Sequence, residues 1–200
     1  MVDDPLFPQG ENKVSNEKHL PLPQKGILPD SVPLTWITSL PTGTVTFLFS
    51  DIEGSTSLWE KSPSAMGVAL EVHNEVLKQA IMDQGGIVFK IVGDEFNAAF
   101  PTALQALRAA IEAQRGLLNA RWNELGQLRV RMGIHTGEAH LDGISDEYAV
   151  SHTKNRVSRI MSAAHGGQIL LSQESADLCE RTLPEDVCLK DMGSHRMKGL

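Results

Sequence analysis

The run Thr44–Phe49, with the sequence TVTFLF, is the feature that most limits how this chain can fold. Its residues are β-branched and aromatic, and it is bounded by Pro41-Thr-Gly before and Asp-Ile-Glu-Gly after. Such a run between turn residues predicts a buried strand that ends in a turn. Asp51 therefore comes at the end of a buried strand.

Helical and extended patterns then alternate along the chain. Apolar residues recur at three- and four-residue spacing over 66–81, which predicts a helix. The segment 87–100 predicts a hairpin of two short strands, with Gly93-Asp94 at its turn. A capping-box pattern then begins a second long helix, predicted over 102–125.

The second half of the chain predicts a further set of shorter elements. In order they are a half-buried strand at 128–134, a polar loop at 141–154, a helix at 155–164, a strand at 168–172, a helix to about 181, and strand-like segments at 187–198. This order predicts an α+β fold, with a mainly antiparallel sheet and helices packed on one face.

The first 41 residues differ in composition from the rest. They contain seven of the ten prolines and show neither a helical nor an alternating pattern. Because proline fixes φ and removes a hydrogen-bond donor, this composition predicts an extended or disordered segment over 1–42. A single folded domain is then predicted over 43–200.

Charge and composition exclude several classes of protein. A formal net charge of −7 argues against general nucleic-acid binding, although a local nucleotide pocket needs only a few basic residues. The chain contains no apolar run of the roughly 18–20 residues that cross a bilayer, so no membrane contact is predicted. The N-terminus lacks a secretory pattern, and Cys179 and Cys188 lack metal or redox spacing, which favours a cytoplasmic location.

Asp51 and Asp94 are the first candidates for chemistry. One ends a buried strand and the other lies at a hairpin tip, so pairing of the strands could bring the two carboxylates together. A divalent metal would relieve their repulsion and would suit a phosphate-containing substrate. The alternative is that Asp51 is a turn residue and Asp94 a cap, and the spacing alone does not decide between the two interpretations.

Asn155 and Arg159 are the second pair. They stand four residues apart on a predicted helix and therefore share a face. An amide and a guanidinium on one face could orient a sugar and neutralise a phosphoryl transition state. A solvated helix face is the alternative interpretation.

Four segments together carry a family resemblance. They are FLFSDIEGST, KIVGDEF, NRVSR and GSHRMKG, and in this order and spacing they resemble the class III adenylate/guanylate cyclase catalytic domain. The resemblance covers about Gly43 to Leu200. It implies a ferredoxin-like unit that pairs head to tail as a homodimer, with active sites at the interface.

The resemblance also implies a role for each matching residue. Asp51, Asp94 and the Ile52 carbonyl match the ligands of two Mg²⁺ or Mn²⁺ ions. The nucleotide contacts match at these positions: Gly54, Ser55 and Thr56 for the phosphates, Lys198 for the terminal phosphates, Asn155 for the ribose, Arg159 for the α-phosphate and Lys90 for the base. A lysine at position 90 goes with adenine in this family, and a glutamate with guanine.

The implied reaction converts ATP to 3′,5′-cyclic AMP and pyrophosphate for signal transduction, with GTP as the second candidate substrate. The ribose 3′-oxygen attacks the α-phosphate while the metals lower the pKa of the hydroxyl and hold the triphosphate. In the family the aspartates come from one subunit and the lysines, asparagine and arginine from the other. Lys90 and Asp94 would then serve opposite sites, and a monomer is expected to be inactive.

The sequence departs from the family pattern in two places. Tyr148 stands where the family has an aspartate seven residues before Asn155, and Ser151 stands where a glycine is expected. Asp146 or Glu147 could replace that aspartate after a shift of one or two residues. The family normally has one more strand beyond Leu200, so further strand or domains are expected to follow this segment.

Two other functions remain open on the sequence. A cyclase-like domain without activity could bind nucleotide, or only dimerise, and regulate a neighbouring domain. Gly93-Asp94-Glu95-Phe96 also suggests a diguanylate cyclase, but that family has a glycine where this chain has Val92 and lacks the turn and helix motifs. A metal shared by His135 and His140 is not expected, because the two are five residues apart around a strand end.

Overall fold

The computed structural model describes residues 39–143 and 147–196. Its strands are β1 (Gly43–Ile52), β2 (Ile87–Val92), β3 (Glu95–Phe100), β4 (Val130–Ala139) and β5 (Ile169–Leu171). Its α-helices are α1 (Ser55–Lys61), α2 (Pro63–Asp83), α3 (Ala103–Asn119), α4 (His152–Ala163) and α5 (Gln173–Cys179).

The five strands form one sheet in the order β2-β3-β1-β4-β5. All neighbouring pairs are antiparallel except β4 and β5, which run parallel. Strand β1 is central and the run TVTFLF is buried along it from Val45 to Phe49, as its composition predicts. The predicted α+β fold with a mainly antiparallel sheet is confirmed.

The larger core lies between the sheet and helices α2 and α3. Strand residues of this core point to one face because side chains alternate along a strand. Its largest fully buried side chains are Ile52, Phe96, Phe100, Met132 and Ile134 from the strands and Met66, Leu77, Ile81 and Leu117 from the helices. Burying these residues fixes the register of the sheet, because a slip of one residue would expose them.

Helix α4 lies against the opposite face of the sheet, so the expectation of helices on one face is wrong for this element. Its residues Val157 and Met161 join a second apolar cluster with Phe47 and Phe49 of β1. The close approach depends on small residues in β4: a Cβ at Gly133 would collide with the backbone of Met161. Alternate residues of β4 therefore pack against different helices: one set faces α2 and α3, and the other set faces α4.

Several predicted elements differ from the structure, among them the strand predicted over 128–134, which is β4 (Val130–Ala139). Helix α3 ends at Asn119, six residues before Leu125, because Ala120 is extended and the Trp122 indole N–H donates to the Leu117 carbonyl. Helix α4 begins three residues before Asn155, because the hydroxyl of Ser151 accepts from the Lys154 N–H as its N-cap. The described part of the segment 187–198, up to residue 196, contains no strand, so that prediction is wrong there.

Replacing Gly133 by alanine should lower the free energy of unfolding by about 1–3 kcal/mol, because α4 must move away from β4. Urea denaturation measures this difference. Gly67→Ala on α2 is the matched control: a Cβ there meets nothing within 4 Å, so it should stabilise the protein by about 0.5–1 kcal/mol. Equal effects of the two changes would contradict the packing of α4 on β4.

Stability should fall with acid because two histidines are buried. Burial lowers the pKa of His73 on α2 and of His135 on β4 below the ordinary 6.5, so the folded state holds both imidazoles neutral. The unfolded chain binds protons first, hence this contribution is complete above about pH 6.5 and is lost as pH falls below it. Each unit of lowering is equivalent to about 1.4 kcal/mol, measurable by urea denaturation at pH 7.5 and 5.5. A His73→Gln variant should show a weaker dependence; an unchanged slope would contradict the assignment.

Candidate active site

Asp51 lies one residue before the end of β1 and is paired in register with Arg131 of β4. The two side chains form an ion pair, in which the Arg131 Nε donates to Asp51 Oδ2 at 3.0 Å. The Asp51 side chain is 19% exposed, so its carboxylate lies at the margin of the core. Because Asp51 alternates with Phe49 and Phe47, it faces the same side of the sheet as α4.

Asp94 lies in the two-residue turn between β2 and β3, directly after Gly93, whose φ of 63° favours glycine. Its Oδ2 accepts a hydrogen bond of 2.9 Å from the Ile52 N–H. That bond attaches the hairpin tip to the end of β1. The structure thereby brings the Asp94 carboxyl beside Asp51 and Ile52.

The electrostatics of Asp94 agree with this crowding. Partial burial raises the pKa of Asp94, and the adjacent Asp51 carboxyl raises it further, while the hydrogen bond from Ile52 opposes the change. A cation bound beside Asp94 would offset both causes and favour its ionised form. Within the described residues no group of three or more His, Cys, Asp or Glu side chains could hold a metal. A cation here would therefore depend on two carboxylates and backbone oxygen.

The segment after Asp51 turns sharply into α1. Gly54 is the N-cap of this short helix with a φ of 72°, and its carbonyl accepts from the Leu58 N–H at 3.2 Å. Ser55 and Thr56 form its first turn, where backbone N–H groups have no partner within the helix. The Glu53 side chain connects this turn to the segment before β5, because its carboxylate accepts a hydrogen bond from the Gly166 N–H at 3.1 Å.

Asn155 and Arg159 are both on α4, as predicted, and are separated by about one turn. Asn155 is exposed and Arg159 is half-buried. Among the described residues, neither side chain forms an ion pair or a hydrogen bond with another side chain. Both polar groups are available to a ligand.

Lys90 is exposed on β2 and pairs with Asn97 of β3. The register shifts between Val88 and Lys90, so Phe89 is an extra residue that interrupts the alternation. Phe89 packs against the cluster that includes Phe47 and Phe49, and Lys90 follows it on the α4 side of the sheet. Lys198 lies outside the described residues, and so does Asp146.

Tyr148 is buried, with 3% of its surface exposed. Its ring packs edge-on against Phe47 and Phe89 at centroid distances of 4.9 Å, and its hydroxyl donates to the Pro41 carbonyl at 2.7 Å. The phenol is therefore occupied by the fold. Leu40 packs against the same cluster, so the end of the predicted N-terminal segment already contacts the domain.

Two residues near Asp51 were missed by sequence reasoning. Arg131 lies on a strand whose alternation was recognised, but the ion pair joins residues 80 positions apart. Glu53 joins the turn to residue 166, again across a long separation. The only signal for Arg131 was its place on the polar face of the predicted strand.

Residues 37–200 match the family model of the adenylate and guanylate cyclase catalytic domain. The chain belongs to this family. The match covers the whole described sheet, including β1 with Asp51, the β2–β3 turn with Asp94, and α4.

Relatives of this cyclase domain include both uncharacterised and named proteins. An uncharacterised protein of Mycobacterium tuberculosis is 41% identical over 80% of this chain, which spans 53% of that relative. The adenylate cyclases of Neurospora crassa and Lachancea kluyveri are 34% and 36% identical over 80% and 67% of this chain, which covers 9% and 8% of their length. The chain thus spans about half of the mycobacterial relative and a small part of the fungal ones.

Solved structures share the fold of this cyclase domain. The Trypanosoma brucei adenylate cyclase in its monomeric state superposes with a TM-score of 0.69 at 26% identity, covering 86% of this chain and 89% of that one. The adenylyl cyclase CyaB of Pseudomonas aeruginosa gives a TM-score of 0.66 at 25% identity, with coverage of 80% and 90%. Among the helices that the structure describes, none is long and apolar enough to cross a membrane.

Proposed function

We propose that this domain is a nucleotidyl cyclase that converts ATP to 3′,5′-cyclic AMP and pyrophosphate at the interface of a homodimer. The observation that carries the proposal is the juxtaposition of Asp51 and Asp94, tied together through the Ile52 N–H at 2.9 Å. Asn155 and Arg159 on α4, whose side chains have no polar side-chain partner among the described residues, support it.

The residues at this site fit a divalent cation. Asp51, which is paired with Arg131, and Asp94, whose pKa is raised, are adjacent carboxyls that supply the hard oxygen donors preferred by Mg²⁺ and Mn²⁺. Asp51, Asp94 and the carbonyl of Ile52 would hold two such ions in each site. When bound, the ions would lower the pKa of the ribose 3′-hydroxyl and neutralise the triphosphate.

The remaining chemistry falls to this chain's own side chains. Asn155 would orient the ribose, and Arg159 would donate to the α-phosphate oxygens as charge develops on them. The first turn of α1, with Gly54, Ser55 and Thr56, would present N–H groups to the phosphates, and Lys198 would contact the terminal ones. The 3′-oxygen forms a bond to the α-phosphorus while the bond to pyrophosphate breaks, so positioning and neutralisation dominate the catalysis.

A homodimer would complete the site. The tip of the β2–β3 hairpin exposes apolar surface at Ile91 and Val92, which are 42% and 56% exposed. Helix α4 packs on β4, β1 and β5. On the same face of the sheet, the part near β2 that includes Lys90 stays accessible. Such a surface is suited to a second copy of the chain, whose α4 would face the aspartates of the first.

The proposed preference for ATP over GTP depends on Lys90. A Lys90→Glu change should lower kcat/KM for ATP and raise it for GTP, each by about tenfold, because the carboxylate accepts from guanine and has no donor for adenine. Initial rates with each nucleotide and Mn²⁺ test this prediction. Lys78→Glu, an exposed lysine on α2, is the control and should leave the ratio of the two rates unchanged. A ratio unaffected by Lys90→Glu would contradict base reading by this residue.

Product analysis tests the function itself. Purified protein incubated with ATP or GTP and Mn²⁺ should form a cyclic mononucleotide and pyrophosphate in equal amounts. A cyclic dinucleotide from GTP would instead indicate a diguanylate cyclase.

One observation favours a second candidate, a cyclase-like domain that regulates a neighbour without turnover. Tyr148 stands where the family has an acidic residue. Its hydroxyl already donates to the Pro41 carbonyl, so this hydroxyl is not available to bind the adenine or guanine base. Nucleotide binding without product, from a folded dimer, would favour this candidate. The cytoplasmic location and the extended or disordered segment over 1–42 stay predictions from the sequence.

A further inference from the structure

A continuous chain of buried polar groups crosses the fold beside β4. Thr46 and Thr136 hydroxyls lie 2.9 Å apart, Thr136 and Ser175 hydroxyls 3.0 Å, and Ser172 donates to Ser175 at 3.3 Å. His135 ends the chain, with its Nδ1 2.8 Å from the Ser172 hydroxyl. All five residues are buried, and a buried polar network is costly unless its members are satisfied. The imidazole is its one titratable group.

His135 lies directly beneath α4. It alternates with Gly133 and Gly137 on the same face of β4, and a Cβ at either glycine would collide with a residue of α4. A Cβ at Gly137 would stand 2.9 Å from the Thr153 hydroxyl and 3.4 Å from the His135 Nε2. The imidazole therefore lies beside Gly137, at the point where Thr153 of α4 packs on β4.

Charged residues of two helices face this imidazole. Glu174, in the first turn of α5, has one carboxylate oxygen 4.0 Å from the His135 Nδ1 and the other 2.9 Å from the Arg156 guanidinium of α4. From the sheet, β1 presents Phe47 and β5 contains no titratable residue. Burial lowers the pKa of His135, Arg156 lowers it further, and Glu174 opposes them.

We propose that His135 is a positioning residue: its neutral imidazole supports α4, and protonation loosens the helix because the buried imidazolium repels Arg156 of α4 and competes with it for Glu174. The proposal rests on the proposed function in one respect, since α4 carries Asn155 and Arg159, whose placement would then depend on pH. Protonation of one buried histidine would thus make turnover decrease in acid, although the groups that touch the nucleotide keep their own protonation states.

Hydrogen exchange of the nucleotide-free protein tests the support of α4 without any need for turnover. Protection factors of α4 amides, corrected for intrinsic exchange rates, should decrease between pH 7.5 and pH 5.5 by up to about tenfold per pH unit. The amides of α3, which contains no histidine, should decrease less. Equal decreases in α3 and α4 would overturn the proposal.

Two variants separate His135 from the other buried histidine. His135→Asn retains an amide group close to Ser172 but cannot titrate, so α4 should lose its specific response to acid. His73→Gln, on α2, should leave that response intact. If His135→Asn does not fold, Glu174→Gln provides the second test: it removes the charged partner of Arg156, and because both side chains are half-exposed, α4 protection at pH 7.5 should fall by about two- to fivefold. An acid response of α4 that persists in His135→Asn, or normal α4 protection at pH 7.5 in Glu174→Gln, would overturn the proposal.

Turnover gives an independent readout. Relative to the rate of each protein at pH 8, the acid limb of the kcat profile should shift to lower pH in His135→Asn, with KM for ATP changed less than twofold. An acid limb that stays in place would overturn the link to catalysis. Absence of product at every pH would refute the proposed function, and the exchange experiment would still decide the role of His135.

Discussion

The Asp51→Ala protein should have no detectable turnover while it remains folded and dimeric. Asp51 is paired with Arg131 and lies beside Asp94, so its loss removes one of two carboxylates from the proposed metal site. Metal ions supply several kcal/mol of transition-state stabilisation, so the rate should decrease by about a thousandfold or more. Cyclic product formation with Mg²⁺ or Mn²⁺ measures the loss.

Asp177→Ala is the matched control for this change. Asp177 is an exposed carboxylate on α5, where it accepts from the Gln173 side chain, and its removal should leave kcat within about twofold. Circular dichroism and sedimentation would establish that both variants fold and dimerise. Turnover that survives in a folded Asp51→Ala protein would refute the metal assignment.

Mixing Asp51→Ala with Arg159→Ala protein should restore activity that neither variant has alone. Each heterodimer would contain one site with both defects and one site that is intact, because the aspartates and the arginine of a site are proposed to come from different subunits. Random exchange in an equal mixture makes half of the dimers mixed, so about a quarter of the wild-type activity is expected. Rates measured after subunit exchange give this fraction.

As the control, each variant is taken through the same exchange procedure alone, and it should remain inactive. Heterodimers must be detected directly, for example by mass spectrometry of differently tagged chains. Heterodimers that form without any recovery of activity would contradict active sites shared between subunits, while leaving the roles of Asp51 and Arg159 to the single variants.

Local sequence patterns were enough to predict most of the fold. The apolar run at Thr44–Phe49 became the central strand because its side chains are buried on both faces. The hairpin over 87–100 and the helix over 66–81 depend on local turn and periodicity signals, and the structure has both. Helix ends were less predictable: α3 stops at Asn119, where Ala120 is extended and the Trp122 indole N–H donates back to the Leu117 carbonyl, and periodicity does not report such a bond.

The juxtaposition of Asp51 with Asp94 could be anticipated because each follows a strong strand signal. The contact that holds them, between the Ile52 N–H and Asp94, depends on the sheet order and not on either segment. The placement of α4 opposite α2 and α3 was missed for a similar reason. Its apolar stripe indicates that it packs on a sheet but does not say on which face, which is decided by Gly133 and Gly137.

Tyr148 shows where residue-by-residue correspondence stops being informative. At its position the family has an acidic residue, but here the ring completes an aromatic cluster with Phe47 and Phe89. Burial raises the pKa of its phenol well above the usual value, so the hydroxyl stays protonated and donates to Pro41. We therefore expect selection of the base to depend on Lys90.

The most direct test of the account is the time course of pyrophosphate and cyclic AMP when the purified chain is given ATP and Mn²⁺, with Asp51→Ala as the blank. Both products should appear together in a one-to-one ratio, at a rate per subunit that increases with protein concentration until the dimer is fully formed. A folded, dimeric protein that binds ATP and forms neither product would contradict the assignment of this chain as a cyclase.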